Sequence, residues 1–163
     1  MYDTIFDEVL ALLLPLERVT QARRYHPEGD ALFHSLQVYG LARQASEDPA
    51  LWAAALLHDV GKAAVCSCHA EQGAAMLEGI ADDRVRWLVA HHLELLHAPR
   101  ECRALLRGDS RLTDLEALRA WDLAGRQPQA AVVSAERAVG EILEPGVAEQ
   151  WLCEVATVED AEG

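Results

Sequence analysis

Apolar residues recur every three to four positions along most of the chain, as at Ile5, Val9, Leu12, Leu13 and Leu16, the spacing that lines one face of an α-helix. No stretch shows the sustained β-branched alternation of strands bounded by tight turns. The pattern predicts an all-α protein. Turn-forming residues punctuate it: HPEGD at 26–30, EDP at 47–49, Gly61 before Lys62, Gly79, Ala98–Pro99, GDS near 109, GRQP at 125–128 and EPG at 144–146. Between these breaks, helices are expected at about 2–14, 31–45, 49–58, 69–78, 82–96, 113–124, 128–141 and 146–157. Asp48 followed by Pro49 has the form of an N-cap and first helical residue, and Asp30 reads as a cap for the helix starting at Ala31. His58 and Asp59 then fall at a helix C-terminal end.

A length of 163 residues with 51% hydrophobic content is enough to bury one core without covalent staples. The expectation is a single compact bundle of about seven to eight helices over residues 1–157, followed by a short acidic tail at 158–163. The formal charge of −13, from 14 basic and 27 acidic side chains, argues against extended DNA or RNA as a partner. Small anions stay compatible, because metal ions and a few placed cations reverse the potential inside a pocket. Acidic residues stand where an export signal would be basic, and the apolar runs fall short of a membrane span, so a cytoplasmic location without membrane attachment is expected. Cys66, Cys68, Cys102 and Cys153 are read as free thiols, with a metal or redox role for the Cys66–Cys68 pair as the alternative. The surface composition leaves oligomerisation open.

The chemistry lies in seven histidines: His26, His34, His58, His69, His91, His92 and His97. Neutral imidazole is the commonest nitrogen ligand for divalent transition metals, and carboxylates add charge and bridging capacity. His58 and Asp59 are adjacent, and at a frayed helix end before Gly61 they can converge on one ion. His26 and His97, beside Pro27 and near Pro99, are read as surface turn residues. Lys62 is the chain's only lysine, and its compact ammonium suits a phosphate oxygen as a point charge. Arg126, four residues after Asp122, is a second candidate phosphate contact.

At LLHDVGK (56–62) the sequence resembles the HD superfamily of metal-dependent phosphohydrolases. That pattern is an early His, an HD doublet, later His residues and a distal Asp. Here these correspond to His34 in ALFHSLQVYG, to His58 and Asp59, to His69 in CHAEQGA and His91 and His92 in AHHLELL, and to Asp122 in LRAWDLAGR. Asp109 and Asp114 are further carboxylates that the pattern admits as the distal one. The likeness covers about residues 26–127 and is most similar locally to the HD domain attached to some bacterial tRNA nucleotidyltransferases. These 163 residues carry no nucleotidyltransferase segment, and a tRNA role is not expected.

The resemblance implies an HD-domain bundle with metal ligands His34, His58, Asp59, His69, His91, His92 and Asp122, His91 being favoured over His92 for a second ion. It further implies one or two divalent transition ions (Mn, Fe, Co, Ni or Zn, with Mg also compatible), and Asp59 able to bridge them. Asp59 and Lys62 are the candidate catalytic residues, and Lys62 and Arg126 the candidate substrate contacts. The expected activity is hydrolysis of a phosphomonoester or phosphodiester in a nucleotide or other small phosphorylated metabolite. The alternatives are a non-catalytic, ligand-sensing metal-binding domain and an oxygenase of the mixed-valent di-iron kind.

Overall fold

The computed structural model describes residues 2–64 and 67–154, and over these residues it is helical, with no strand beyond two isolated bridges. Nine α-helices are found among the described residues: α1 (Tyr2–Leu13), α2 (Ala31–Ala45), α3 (Pro49–Leu57), α4 (His69–Met76), α5 (Asp83–His91), α6 (Glu94–His97), α7 (Pro99–Leu105), α8 (Ser110–Ala124) and α9 (Ala135–Ile142). Cys66 and the acidic tail at 158–163 lie outside the described residues.

Side-chain caps fix where the helices begin. Asp30 accepts from Phe33 N at 2.8 Å, Asp48 from Ala50 N at 3.0 Å, and Asp82 from Val85 N at 2.8 Å, each satisfying an amide that has no partner within its helix. Caps also explain departures from the sequence pattern. α8 starts at Ser110 rather than 113 because Asp109 accepts from Arg111 N, and α9 starts at Ala135 rather than 128 because Ser134 caps it. The segment expected as one helix over 82–96 ends its first part at His91 and resumes as α6. Pro99, read as part of a break, instead opens α7, where its fixed φ and missing N–H suit the first turn. In the described part of 146–157 there is only a 3-10 turn, Ala148–Gln150.

The centre of the molecule is α3. All nine of its residues, PALWAAALL, are buried, as expected of a helix that is apolar all round. α2, α5, α8 and α9 pack around it, and α4 lies against α5. A helix sheathed on every side delivers whatever follows it to the interior, so His58 and Asp59 are 1% and 2% exposed. No helix among the described residues is long and apolar enough to cross a membrane.

Two backbone features shape the site's surroundings. Residues 20–30 form a closed loop, pinned at its neck by the antiparallel bridge between Thr20 and Asp30 and by Gln21 N donating to the Gly29 carbonyl at 3.2 Å. Gly29 there has φ +111°, a conformation that L side chains rarely adopt. After α3, a 3-10 turn over Val60–Ala63 passes directly beneath α4.

Candidate metal centre

Five elements converge on Asp59. His34 comes from the first turn of α2, His58 and Asp59 from the end of α3, His69 from the first residue of α4, His92 from just past α5, and Asp122 from the last turn of α8. Asp59 sits at φ −104°, ψ 5°, outside the helical region, where α3 gives way to the 3-10 turn. That turn lets its carboxylate and the His58 ring address the same space, which neighbours on a regular helix would not do.

The imidazoles are locked in one orientation. Nδ1–H of His34 donates to the Gly125 carbonyl at 2.8 Å, that of His58 to Ala55 at 2.8 Å, and that of His92 to Val89 at 2.7 Å. Each ring therefore turns Nε2 toward the carboxylates. The two oxygens of Asp59 divide the ring of histidines between them. Oδ2 lies 3.4 Å from His58 Nε2 and 3.9 Å from His34 Nε2; Oδ1 lies 3.5 Å from His69 Nε2 and 3.6 Å from His92 Nε2. Asp122 Oδ1 is 3.1 Å from His34 Nε2.

This donor set fits a divalent metal. Ligand atoms about 2.1 Å from one ion lie roughly 3.0–3.5 Å from each other, close to the spacings found. The buried Nε2 atoms of His58 and His69 have no hydrogen-bond partner among the described residues, a cost that a polar atom normally avoids. His34–His58–Asp59 and Asp59–His69–His92 each bring their donor atoms within 4.8 Å of one another, with Asp59 common to both.

Electrostatics favour the ligand protonation states at His58, Asp59 and Asp122. Burial pushes His58 down to about 4, so it is neutral at neutral pH. Burial alone would raise the Asp59 carboxyl, but His58, His69, His92 and Lys62 around it outweigh this and hold it well below the usual carboxylate range. Asp122 is likewise buried yet depressed, chiefly by its hydrogen bond with His34. For His34, burial is outweighed by Asp122 and Asp59, and the net shift is upward.

The candidates from the sequence separate clearly. His34, His58, Asp59, His69, His92 and Asp122 come together; His91 does not. It lies four residues after Trp87 on another side of α5, stacking on that ring with centroids 4.4 Å apart and lying 3.6 Å from Glu94. The preference for His91 over His92 is therefore reversed, because adjacent helical residues point about 100° apart and His92 is the one turned inward. Asp109 caps α8 and Asp114 pairs with Arg84 at 3.0 Å, which leaves Asp122 as the carboxylate at the centre.

A cavity of about 320 Å³ opens onto Asp59, His69, His92 and Asp122 and is walled by Lys62, Arg119, Arg126, Leu93 and Leu96. Lys62 Nζ donates to Asp59 Oδ2 and to Gln21 Oε1, both at 2.7 Å. Arg119 and Arg126 approach the two oxygens of Asp122 at 2.7 and 3.4 Å. His26 and His97, read from sequence as surface turn residues, also line this cavity. Arg119 carried no motif, although its place one turn before Asp122 on α8 was a usable signal. A larger cavity of about 430 Å³, between α2 and residues 127–133, has neither His nor Asp in its lining, so donor chemistry rather than volume marks the site.

Known proteins are similar to this chain over the stretch that carries these residues. The family model described as HD domain matches residues 32–127. The Multifunctional CCA protein of Alkalilimnicola ehrlichii (strain ATCC BAA-1101 / DSM 17681 / MLHE-1) is 36% identical over 126 residues, covering 70% of this chain and 27% of the relative. The Multifunctional CCA protein of Nitrosococcus oceani (strain ATCC 19707 / BCRC 17464 / JCM 30415 / NCIMB 11848 / C-107) is 33% identical over 114 residues, covering 61% and 27%. The chain thus spans about a quarter of the length of these relatives.

Proposed function

The chain belongs to the HD domain family, whose superfamily is one of metal-dependent phosphohydrolases, and on that premise we propose that it hydrolyses the phosphoester of a nucleotide or other small phosphorylated metabolite. The observation that carries this reading is the division of labour at Asp59, one oxygen facing His34 and His58 and the other facing His69 and His92. In that arrangement His34, His58 and Asp59 would hold one divalent ion, and Asp59, His69 and His92 would hold a second. Ions held there would supply Lewis acidity and a water of lowered pKa.

The residues themselves perform the rest. The backbone carbonyls of Ala55, Val89 and Gly125 keep the imidazole protons on Nδ1, so the Nε2 donors are preorganised and no rotamer search is needed on loading. Lys62, held by Asp59 and Gln21, offers its remaining ammonium proton to a phosphate oxygen at the cavity wall. Arg119 and Arg126 add two guanidinium groups to that wall, giving an anion-attracting pocket in a chain of net charge −13. A volume of about 320 Å³ is at the small end for ligand pockets, which favours one compact substrate over an extended strand.

The test is a phosphoester panel, including p-nitrophenyl phosphate and its bis ester, assayed with added Mn²⁺ or Co²⁺ beside metal analysis of the same sample. Wild type should turn over at least one substrate, Asp59→Ala should lose metal and turnover together, and Lys62→Ala should keep metal while losing turnover. Metal-replete wild type that hydrolyses nothing in the panel would overturn the enzymatic reading in favour of a ligand-sensing domain.

A further inference from the structure

The 20–30 loop places a carboxylate behind the metal centre that no motif announced. Glu28 is 8% exposed, and its side chain is fully buried. Its Oε1 lies 2.9 Å from His34 Nδ1 and 2.9 Å from His26 Nδ1, while Oε2 has no hydrogen-bond partner. Among the described residues, its ion-pair partners are these two histidines, with no Lys or Arg. A buried carboxylate with one idle oxygen and no Lys or Arg paired with it is a burden on folding, since charge taken out of water is repaid only by good partners. The position therefore calls for a reason other than stability.

Hydrogen-bond bookkeeping supplies one. His34 Nδ1 faces two acceptors, the Gly125 carbonyl at 2.8 Å and Glu28 Oε1 at 2.9 Å, and neither can donate. A ring proton must sit on Nδ1, where the Gly125 carbonyl accepts it and the Glu28 carboxylate lies against it, while Nε2 faces Asp122 Oδ1 at 3.1 Å. The same Glu28 oxygen accepts from His26 Nδ1, so the His26 ring, 5.0 Å from that of His34 and edge-on to it, is held at the cavity wall in the same tautomer.

We propose that Glu28 is a positioning residue of the metal centre, a buried carboxylate lying against the Nδ1 edge of His34 beside the Gly125 carbonyl, which holds the ring in orientation and raises its basicity as a ligand. This rests on the metal-site reading above. Removing such an outer carboxylate typically lowers metal affinity 10- to 100-fold.

Wild type and Glu28→Gln are compared by Co²⁺ titration, by the visible absorption of the Co²⁺-loaded protein, and by thermal melting of the metal-free protein. The variant should bind Co²⁺ about 10- to 100-fold more weakly with an altered spectrum, while the metal-free protein melts at or above the wild-type temperature. Unchanged affinity and spectrum, with a lowered melting temperature, would show Glu28 to be structural and overturn the proposal. A wild type that takes up no Co²⁺ at all would instead overturn the metal reading on which it rests, and the two failures are thus told apart. A second variant guards against one that folds poorly: Glu28→Asp, which keeps the charge but draws it back from His34, should also bind Co²⁺ more weakly than wild type, and wild-type affinity in both variants would refute the proposal.

Discussion

Replacing Gly61 with alanine should weaken the fold and the metal centre together. The turn that carries Gly61 runs beneath α4 so closely that an added Cβ would lie 1.9 Å from the His69 carbonyl oxygen, 2.8 Å from its carbon and 2.6 Å from Gly73 N. All three are backbone atoms, so no side-chain rotation relieves the clash. Since ordinary contact begins at 3.4 Å, α4 would have to retreat by about 1.5 Å. Overpacking of this kind costs about 1–3 kcal/mol, and clashes with backbone alone put this case near 3. Alanine recovers up to about 1 kcal/mol by restricting the unfolded chain. The net loss of about 2 kcal/mol corresponds to a fall of roughly 4–8 °C in melting temperature for a chain of this size. Because His69 opens α4 and its Nε2 is 3.5 Å from Asp59 Oδ1, the same retreat should weaken Co²⁺ binding. Gly40 is the internal control: it sits within α2 with nothing inside 4 Å of its would-be Cβ, so Gly40→Ala should stabilise by up to about 1 kcal/mol through helix propensity. Circular dichroism melts of the three proteins decide the matter. A Gly61→Ala protein that melts at or above wild type, or a Gly40→Ala protein that loses as much, would refute the close-approach argument.

The adjacent histidines give a sharp contrast: His92→Ala should lower Co²⁺ affinity by at least tenfold, whereas His91→Ala should leave it unchanged and lose only the stacking on Trp87, worth about 1 kcal/mol; isothermal titration on both variants reads this directly, and equal losses would mean α5 is rotated otherwise. Acid should destabilise the metal-free protein through His58. The unfolded chain takes up a proton on this residue near 6.5, while the folded protein resists until about 4, so its contribution to stability falls as pH drops through that window, by about 3 kcal/mol in all. Urea titrations at pH 7 and pH 4.5 should therefore show a smaller acid loss in His58→Gln than in wild type, and parallel losses would contradict the buried, neutral state of the ring.

How far the sequence carried the site can be argued helix by helix. The motif LLHDVGK located His58 and Asp59, and the chain-long apolar period located α1 to α5 closely enough to place them at a helix end. His91 and His92 were left unresolved by the motif, yet the period held the answer. His92 follows Val85, Leu88 and Val89 by seven, four and three residues, the buried face of α5, while His91 follows Trp87 by four. Asp122 likewise follows Leu115 and Leu118 by seven and four on α8, whereas Asp114 falls on another face, beside Arg84. A polar ligand-type residue standing in an apolar register was thus the stronger signal, and it needed no motif.

Glu28, Gln21 and His26 offered no such signal, because their neighbours are set by tertiary closure. The loop that carries them is pinched between Thr20 and Asp30, which swings Gln21 onto Lys62 and Glu28 onto His34, partners 41 and 6 residues away with no common period. The full role of Gly61 was hidden for a related reason. It looked like a helix-stopping residue, but the space above it is taken by the backbone of α4, a neighbour that local spacing does not announce. Net charge misleads in the same way when applied to a site. A value of −13 averages over the surface, while folding gathers Lys62, Arg119 and Arg126 around one small cavity beside Asp59 and Asp122. The potential that a substrate phosphate meets is set by those few groups and any ion among them, and composition alone has no term for their placement.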